Sequence, residues 1–256
     1  MSHFVFGYRL PKVLSKPLFG DREKWGLVPV TNDTDWNEYW KINFSFYEES
    51  QKGTIGKIVN NSGYRVIQDI PLGGLKILEI GPGNIDHLQF WNEKPEMYTV
   101  VDIQEGMLER ARKTLNKNDI RFDEIKIDRN QNKLPFDDNS FDLIMSFYSL
   151  EHIYPLDKYL EELNRVLRKN GRLIGAIPAE GGLAWGMGRY LTSRRWFLKN
   201  TTINPDKIIC WQHPNFADHI LSSLDEKFEK IKLAYWPMRV PIVDINLVVK
   251  FIYKKK

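Results

Sequence analysis

Glu79, Gly81, Gly83 and Asp102 are the residues whose types and spacing point first to chemistry. The two glycines of Glu79-Ile80-Gly81-Pro82-Gly83 can take φ > 0 and let a ligand approach the backbone closely. Glu79 stands two residues before the first of them, inside an apolar run, where an acid is costly without partners. Asp102 follows Gly83 by 19 positions and closes the run Tyr98-Thr99-Val100-Val101. A carboxylate at that place accepts both hydroxyls of a ribose, so the pair of signals points to a nucleoside ligand without saying which one.

The elements that must hold these residues are short. Lys76 to Ile80 reads as a buried strand ending in a glycine turn, with a helix expected just beyond it so that its free N–H groups face the same spot. Tyr98–Asp102 is the second strand and Glu124 to Ile127 the third. Leu143-Ile144-Met145-Ser146-Phe147 is apolar enough to be central. Asp157 to Arg168 has helical apolar spacing, with Gly171 suited to a left-handed C-cap, and Arg172 to Ile177 is the fifth strand. Phe228 to Trp236 and Ile245 to Tyr253 complete the strands. Before them, Asp33 or Thr34 caps a helix through about Tyr47, and another runs from Thr54 to Asp69.

From Lys76 to Pro178 this order resembles the class I S-adenosylmethionine-dependent methyltransferases of the type 11-like group. Glu79-x-Gly81-x-Gly83 matches their acid-x-Gly-x-Gly motif, Asp102-Ile103 the end of the second strand, and Leu134-Pro135-Phe136 with Ser140-Phe141-Asp142 their L-P-F…S-F-D segment. Leu150-Glu151-His152-Ile153 followed by Glu162-x-x-Arg165-Val166-Leu167 is similar to a further family pattern, with Asn170 in place of its first glycine. The resemblance implies a Rossmann-like α/β fold: seven strands, mostly parallel, helices on both faces and an antiparallel last strand. It implies S-adenosylmethionine as cofactor, held by Glu79, Gly81, Gly83, Asp102, Ile103, Asp128 and Ser146, with Arg129 pairing elsewhere. Ile85 replaces a third glycine often found in the family.

Outside that span the chain divides into an aromatic arm, residues 1–50, and the domain proper, 51–256, with 179–227 as an insertion on the substrate side. Trp25, Trp36, Tyr39, Trp40, Phe44, Phe46 and Tyr47 make the arm either a packing element or a lid. The insertion carries Trp185, Arg189, Tyr190, Arg194 and Arg195 with no acid between Gly181 and Pro205. Such a stretch is either a binding surface for an anionic acceptor with flat or apolar parts, or an ordinary solvated basic face.

Methyl transfer to a hydroxyl benefits from a general base, and histidine suits it near neutral pH. Of the five histidines, His152 after the fourth strand is the first candidate and His213, late in the insertion, the second; a structural role for His152 stands beside the catalytic one. The acceptor expected is a small-molecule or glycan hydroxyl, such as a cell-surface sugar intermediate. A quinone or other lipophilic ring is the alternative, and a non-catalytic cofactor-fold partner protein a third. An NAD-linked oxidoreductase is disfavoured by Asp86.

Composition is consistent with this reading. A charge of +4 over 256 residues does not argue for nucleic acid, and Cys210, the sole cysteine, allows neither an intrachain disulfide nor a cysteine-based metal site. No metal, signal peptide or transmembrane segment is expected, and a cytoplasmic location follows from the cysteine usage.

Overall fold

A computed structural model describes residues 3–42, 54–128 and 133–256. Phe44, Phe46, Tyr47 and Arg129 lie outside the described residues.

Seven strands form one sheet in the order β3-β2-β1-β4-β5-β7-β6, with β1 Lys76–Ile80, β2 Met97–Asp102, β3 Phe122–Lys126, β4 Phe141–Phe147, β5 Leu167–Pro178, β6 Phe228–Trp236 and β7 Val248–Lys255. Strands β1 to β5 pair in parallel, while β7 runs antiparallel to both neighbours. This is the Rossmann-like arrangement expected. The order reverses between β1 and β4, and the crevice beyond their carboxyl ends is where such sheets bind ligands. The apolar runs explain the centre: Ile77, Leu78, Leu143, Ile144, Met145, Leu173 and Ile174 are all buried, and their side chains divide between two cores on opposite faces.

Ten helices are described. Helices α1 Lys12–Phe19, α2 Arg22–Trp25 and α3 (34–42) belong to the arm, and α4 Thr54–Tyr64 leads into the sheet. Helix α5 Glu105–Lys117 follows β2, and α6 Leu156–Val166 follows β4. The insertion folds as α7 Leu183–Leu191, α8 Ser193–Asn200, α9 Pro205–Gln212 and α10 Ala217–Lys227. In α6, Leu156, Leu160, Leu163 and Val166 form the buried stripe that helical spacing requires. Asp33 caps α3, accepting from Trp36 N at 3.0 Å. Asn204 caps α9, with Pro205 in its first turn.

Three local expectations are corrected. The glycine turn is not followed by an α-helix: Asp86–Phe90 is a single 3-10 turn, entered through Ile85 at φ 55°. The 54–69 helix ends at Tyr64 and tightens into a 3-10 turn over Arg65–Asp69. The left-handed residue after α6 is Asn170, at φ 67°, rather than Gly171. Asparagine tolerates that region, and a Cβ on Gly171 would meet the Arg168 carbonyl oxygen at 2.8 Å, so the glycine answers to space instead.

Candidate active site

The tips of β1, β2 and β4 bring the sequence candidates to one edge. Gly81 leaves β1 at φ 65° and Gly83 turns at φ 54°. A Cβ on Gly81 would touch Ser149 Cβ at 3.0 Å, so conformation and space both call for glycine. Ile85 is a β-branched residue at positive φ whose side chain is buried in the core, an uncommon strain of the kind kept near binding sites. Ser149 Oγ donates to the Ile80 carbonyl at 3.0 Å, and Ser146 Oγ lies 2.6 Å from Ser149 Oγ. The Ser146 hydroxyl therefore knits the tips of β4 and β1 together from inside.

Glu79 is fully buried, and each of its oxygens has a protein partner: His87 Nε2 lies 2.8 Å from Oε1, and the Tyr98 hydroxyl donates to Oε2. Trp91 Nε1 donates to His87 Nδ1 at 3.0 Å, which places the His87 proton on Nε2, facing the carboxylate. This chain solves the cost of an acid in a central strand. It also turns both Glu79 oxygens inward, so Glu79 braces the glycine turn through the strand that carries it.

Asp102 is different. It sits at the end of β2, half-buried, with one oxygen accepting from Gln104 N at 2.8 Å. Burial pushes its carboxyl up to about 6, against the pull of the Gln104 and Ile103 amides. A carboxylate so desolvated and incompletely satisfied suits a ligand with two hydroxyl donors. Ile103 stands next to it, half-buried, and Asp128 lies exposed just past the end of β3. Tyr159 on α6 was not singled out in the sequence. Its buried hydroxyl has no partner, and burial together with the Asp102 charge pushes it up. It sits on the apolar stripe of α6, where nothing in the pattern distinguishes it from a core aromatic.

On the acceptor side, two histidines distant in sequence meet. His152 and His213 have ring centroids 4.7 Å apart and cross at 71°. Asn215 makes that meeting: its side-chain amide donates to the Leu150 carbonyl at 2.9 Å and the Ile153 carbonyl at 2.6 Å, clamping the end of the insertion on the turn after β4. His152 Nδ1 lies 2.6 Å from the Gln212 carbonyl, which can only accept, so Nδ1 carries the proton. His213 Nδ1 lies 2.7 Å from Glu180 Oε2, which also accepts from Trp185 Nε1. In the neutral form of each ring the lone pair then falls on Nε2.

Glu180 and Glu151, which the sequence reading did not select as site residues, are buried beside these rings, each with one carboxylate oxygen lacking a partner. Burial pushes Glu180 up, but His213, Arg189 and Arg22 outweigh it and hold the carboxyl below its usual range. Glu151 goes the other way: burial, aided by the Glu180 charge and opposed by His213, pushes it to about 7. An acid in the middle of L-E-H, in the turn after β4, and another just past Pro178 were the available signals. Neither announces its partner.

Arg189 and Arg194 take neither of the two places the basic stretch allowed them, an anion-binding surface or a solvated face. Arg189 is buried and donates to the Pro17 and Leu18 carbonyls at 2.9 and 2.8 Å and to Asp206 at 3.3 Å. Arg194 grips the same Asp206 with two nitrogens. The acid that neutralises both lies one residue beyond the acid-free window. Arg195 is exposed, while Tyr190 is half-buried against Leu18, Phe19 and Phe216. The arm aromatics pack the same way: Trp36, Tyr39 and Trp40 cluster with Phe197, Ile203 and Ile208. Arm and insertion thus form one cap, tied further by Lys207 to Asp33 at 2.8 Å and by Arg22 to the His213 and Pro214 carbonyls at 2.7 Å.

Residues 78–175 match a family model described as a methyltransferase domain. That span, under half of the chain, is by similarity a methyltransferase domain. A demethylmenaquinone methyltransferase of Clavibacter sepedonicus is 33% identical over 104 residues, covering 41% of this chain and 41% of that protein. A ubiquinone/menaquinone biosynthesis C-methyltransferase of Shewanella is 33% identical over 107 residues, or 40% and 41% of the two chains. The chain thus spans about two fifths of the length of the curated relatives it matches. An S-adenosylmethionine-dependent methyltransferase from Aquifex aeolicus shares the fold at TM-score 0.51 and 17% identity, over 75% of this chain and 88% of that one. Family and fold imply S-adenosylmethionine as the cofactor of the methyltransferase domain. The Gly81 cradle and the desolvated Asp102 carboxylate fit it. Among the described residues no group of three or more His, Cys, Asp or Glu is placed to hold a metal ion, and no helix is long and apolar enough to cross a membrane.

Proposed function

We propose that the protein transfers the methyl group of S-adenosylmethionine to a hydroxyl of a small molecule or glycan, with His213 as the general base. When bound, the cofactor supplies a methyl carbon on a positively charged sulfur. Asp102 would accept from its ribose hydroxyls, the Gly81–Gly83 turn would receive the remainder, and Ile103, Asp128 and Tyr159 would flank the base. His213 Nε2 takes the acceptor's proton, while Glu180 holds the ring in the tautomer that leaves Nε2 free and balances the charge that then appears. The observation that carries this reading is the carboxylate-imidazole pair on the acceptor side of the crevice. His152 has a carbonyl behind it and a neighbouring carboxylate oxygen at 3.9 Å, which suits it better to positioning His213 than to replacing it.

A second reading is methylation of a quinone-type ring, favoured by the two relatives. Their similarity extends over only about two fifths of the chain, and the family model matches 78–175, which holds the cofactor crevice. The acceptor side is built largely from the insertion, so it is the weaker guide to the acceptor. A reduced ring also bears a hydroxyl that a base must deprotonate, and the same pair serves it. The anionic acceptor loses support, because Arg189 and Arg194 are committed to the cap. Cys210, buried and unbridged, suits the cytoplasm.

Incubation with methyl-labelled S-adenosylmethionine, offering hydroxylated sugars and demethylated hydroquinones side by side, tests the reading. An O-methyl product that His213→Gln lowers by about 100-fold or more is expected. Label on ring carbon alone selects the second reading. No transfer to any acceptor in a cell extract contradicts both.

A further inference from the structure

Away from the histidine pair, a groove of about 830 Å³ lies between α4 and the β6–β7 edge of the sheet, lined by Ile58, Arg65, Trp236, Arg239, Pro241 and Lys250 among others. It reaches the same edge of the sheet as the crevice, since Trp236 pairs with Val248 and Val248 with Pro178 at the end of β5. Its chemistry is two-sided. Isoleucine, tryptophan and proline make it partly apolar, while Arg65, Arg239 and Lys250 bring three positive charges to it. Among the described residues, Arg239, Lys250 and Arg65 have no carboxylate within salt-bridge distance, and Arg65 lies over the Phe90 ring at 5.9 Å. Elsewhere on this molecule basic side chains such as Arg112, Arg165 and Arg194 are matched to acids. Burial, followed by the charges of Lys232, Arg65 and Arg239 and opposed by that of Asp69, pushes the Lys250 ammonium down, so an anion in the groove would relieve the repulsion that remains.

The loop bordering the groove supplies a second, independent sign. Met238, Val240 and Ile242 project outward at 57%, 38% and 50% exposure, and Ile245 follows at 42%. This is not a slack loop. Asn246, fully buried, accepts from Met238 N at 2.9 Å and donates to the Val240 and Ile242 carbonyls at 3.0 and 2.7 Å. Leu247 N donates to the Trp236 carbonyl at 2.7 Å and closes its base. Arg239, between the apolar residues, is held at φ 59°, a backbone state uncommon for arginine that persists only when the surroundings fix it. A braced loop that presents alternating apolar side chains outward beside unpaired cations is complementary to an anionic lipid surface, apolar residues entering at the headgroup level and cations meeting phosphates.

We propose that the β6–β7 groove and the 237–245 loop form a peripheral docking site for an anionic phospholipid surface, the groove taking one phosphodiester headgroup. This goes beyond the methyl-transfer reading and does not depend on it. Docking there would set the acceptor edge of the sheet against the bilayer.

The test is co-sedimentation of the full chain with vesicles of phosphatidylglycerol in phosphatidylcholine and with vesicles of phosphatidylcholine alone. Pelleting with the first and not the second is expected, weakening as salt rises. Each basic residue near an anionic surface is worth about a fivefold change in partition, so Arg239→Glu with Lys250→Glu should lower it at least tenfold. Met238→Ser with Ile242→Ser should lower it as well. Calorimetric titration with S-adenosylhomocysteine should be unchanged in both variants, which separates lost docking from lost folding and from a failure of the methyl-transfer reading. Absence of pelleting with phosphatidylglycerol overturns the proposal. So does equal pelleting with neutral vesicles, or partition unaltered by the charge reversals. Inorganic pyrophosphate bound by the wild type without vesicle pelleting would make the groove a site for soluble anions instead and equally overturn it.

Discussion

Asp102 and Glu79 are both carboxylates at the ends of neighbouring parallel strands, and they do different things because their surroundings differ. Glu79 has a ring nitrogen and a phenol at its two oxygens, whereas Asp102 has backbone amides for one and is left desolvated. Asp102→Asn should therefore weaken S-adenosylhomocysteine binding by roughly 10–100-fold, the worth of charged hydrogen bonds, measured by calorimetry. The ionised form is the better acceptor. Affinity should be full above about pH 6 and decline as pH falls through it, with a proton released on binding near that pH. At the acceptor edge, Glu180→Gln should lower turnover nearly as much as His213→Gln while leaving cofactor affinity alone. His152→Ala should lower it less if His152 only positions its neighbour. Glu151 offers a stability test. Its carboxyl, held near 7, binds a proton more readily folded than unfolded, so stability falls as pH rises from the ordinary carboxylate range to about 7. Glu151→Gln should then raise the melting temperature at pH 8 by about 3 °C or more, and by less at pH 5.

At the scale of elements, the glycine turn and the cap carry separate expectations. Gly81→Ala would place a Cβ against Ser149 at a positive φ, costing about 1–2 kcal/mol in conformation alone and displacing the turn. Cofactor affinity should fall with only a modest loss of melting temperature. Arg189→Met would remove three charged hydrogen bonds that join α7 to α1 and to Asp206, while Arg194 keeps Asp206 paired. A loss of about 1.5–3 kcal/mol, or roughly 4–8 °C, is expected, together with a rise in KM, because the cap frames the acceptor side. The central strands β1, β2 and β4 were legible because each is a compact apolar run closed by a polar residue or a turn. The turn at Asp86–Phe90 was not: Ile85 takes a left-handed state that β-branched residues disfavour, and tertiary packing overrides the local preference. The place of the arginines was hidden for a related reason. Sequence shows that Arg189 and Arg194 lack a nearby acid up to Pro205, but not that α9 returns Asp206 to both.

Across the whole molecule, the parallel half of the sheet and its switch point place the cofactor crevice, and two segments far apart in the chain close over the other side. The cofactor half could be read from ordered motifs, since each lies at the end of a strand whose position the pattern fixes. The acceptor half could not, because His213 and Glu180 meet from a helix end and a strand end, and Asn215 clamps the insertion on the turn after β4, contacts no periodicity encodes. The account stands on the claim that the tips of β1, β2 and β4 hold an adenosyl ligand with its sulfur directed at His213. A crystal structure with S-adenosylhomocysteine measures this directly. Both ribose hydroxyls are expected within hydrogen-bond distance of Asp102, with the sulfur facing the space between the Gly81 turn and the His213 ring. Density for the ligand elsewhere, or its ribose turned away from Asp102, would contradict the account.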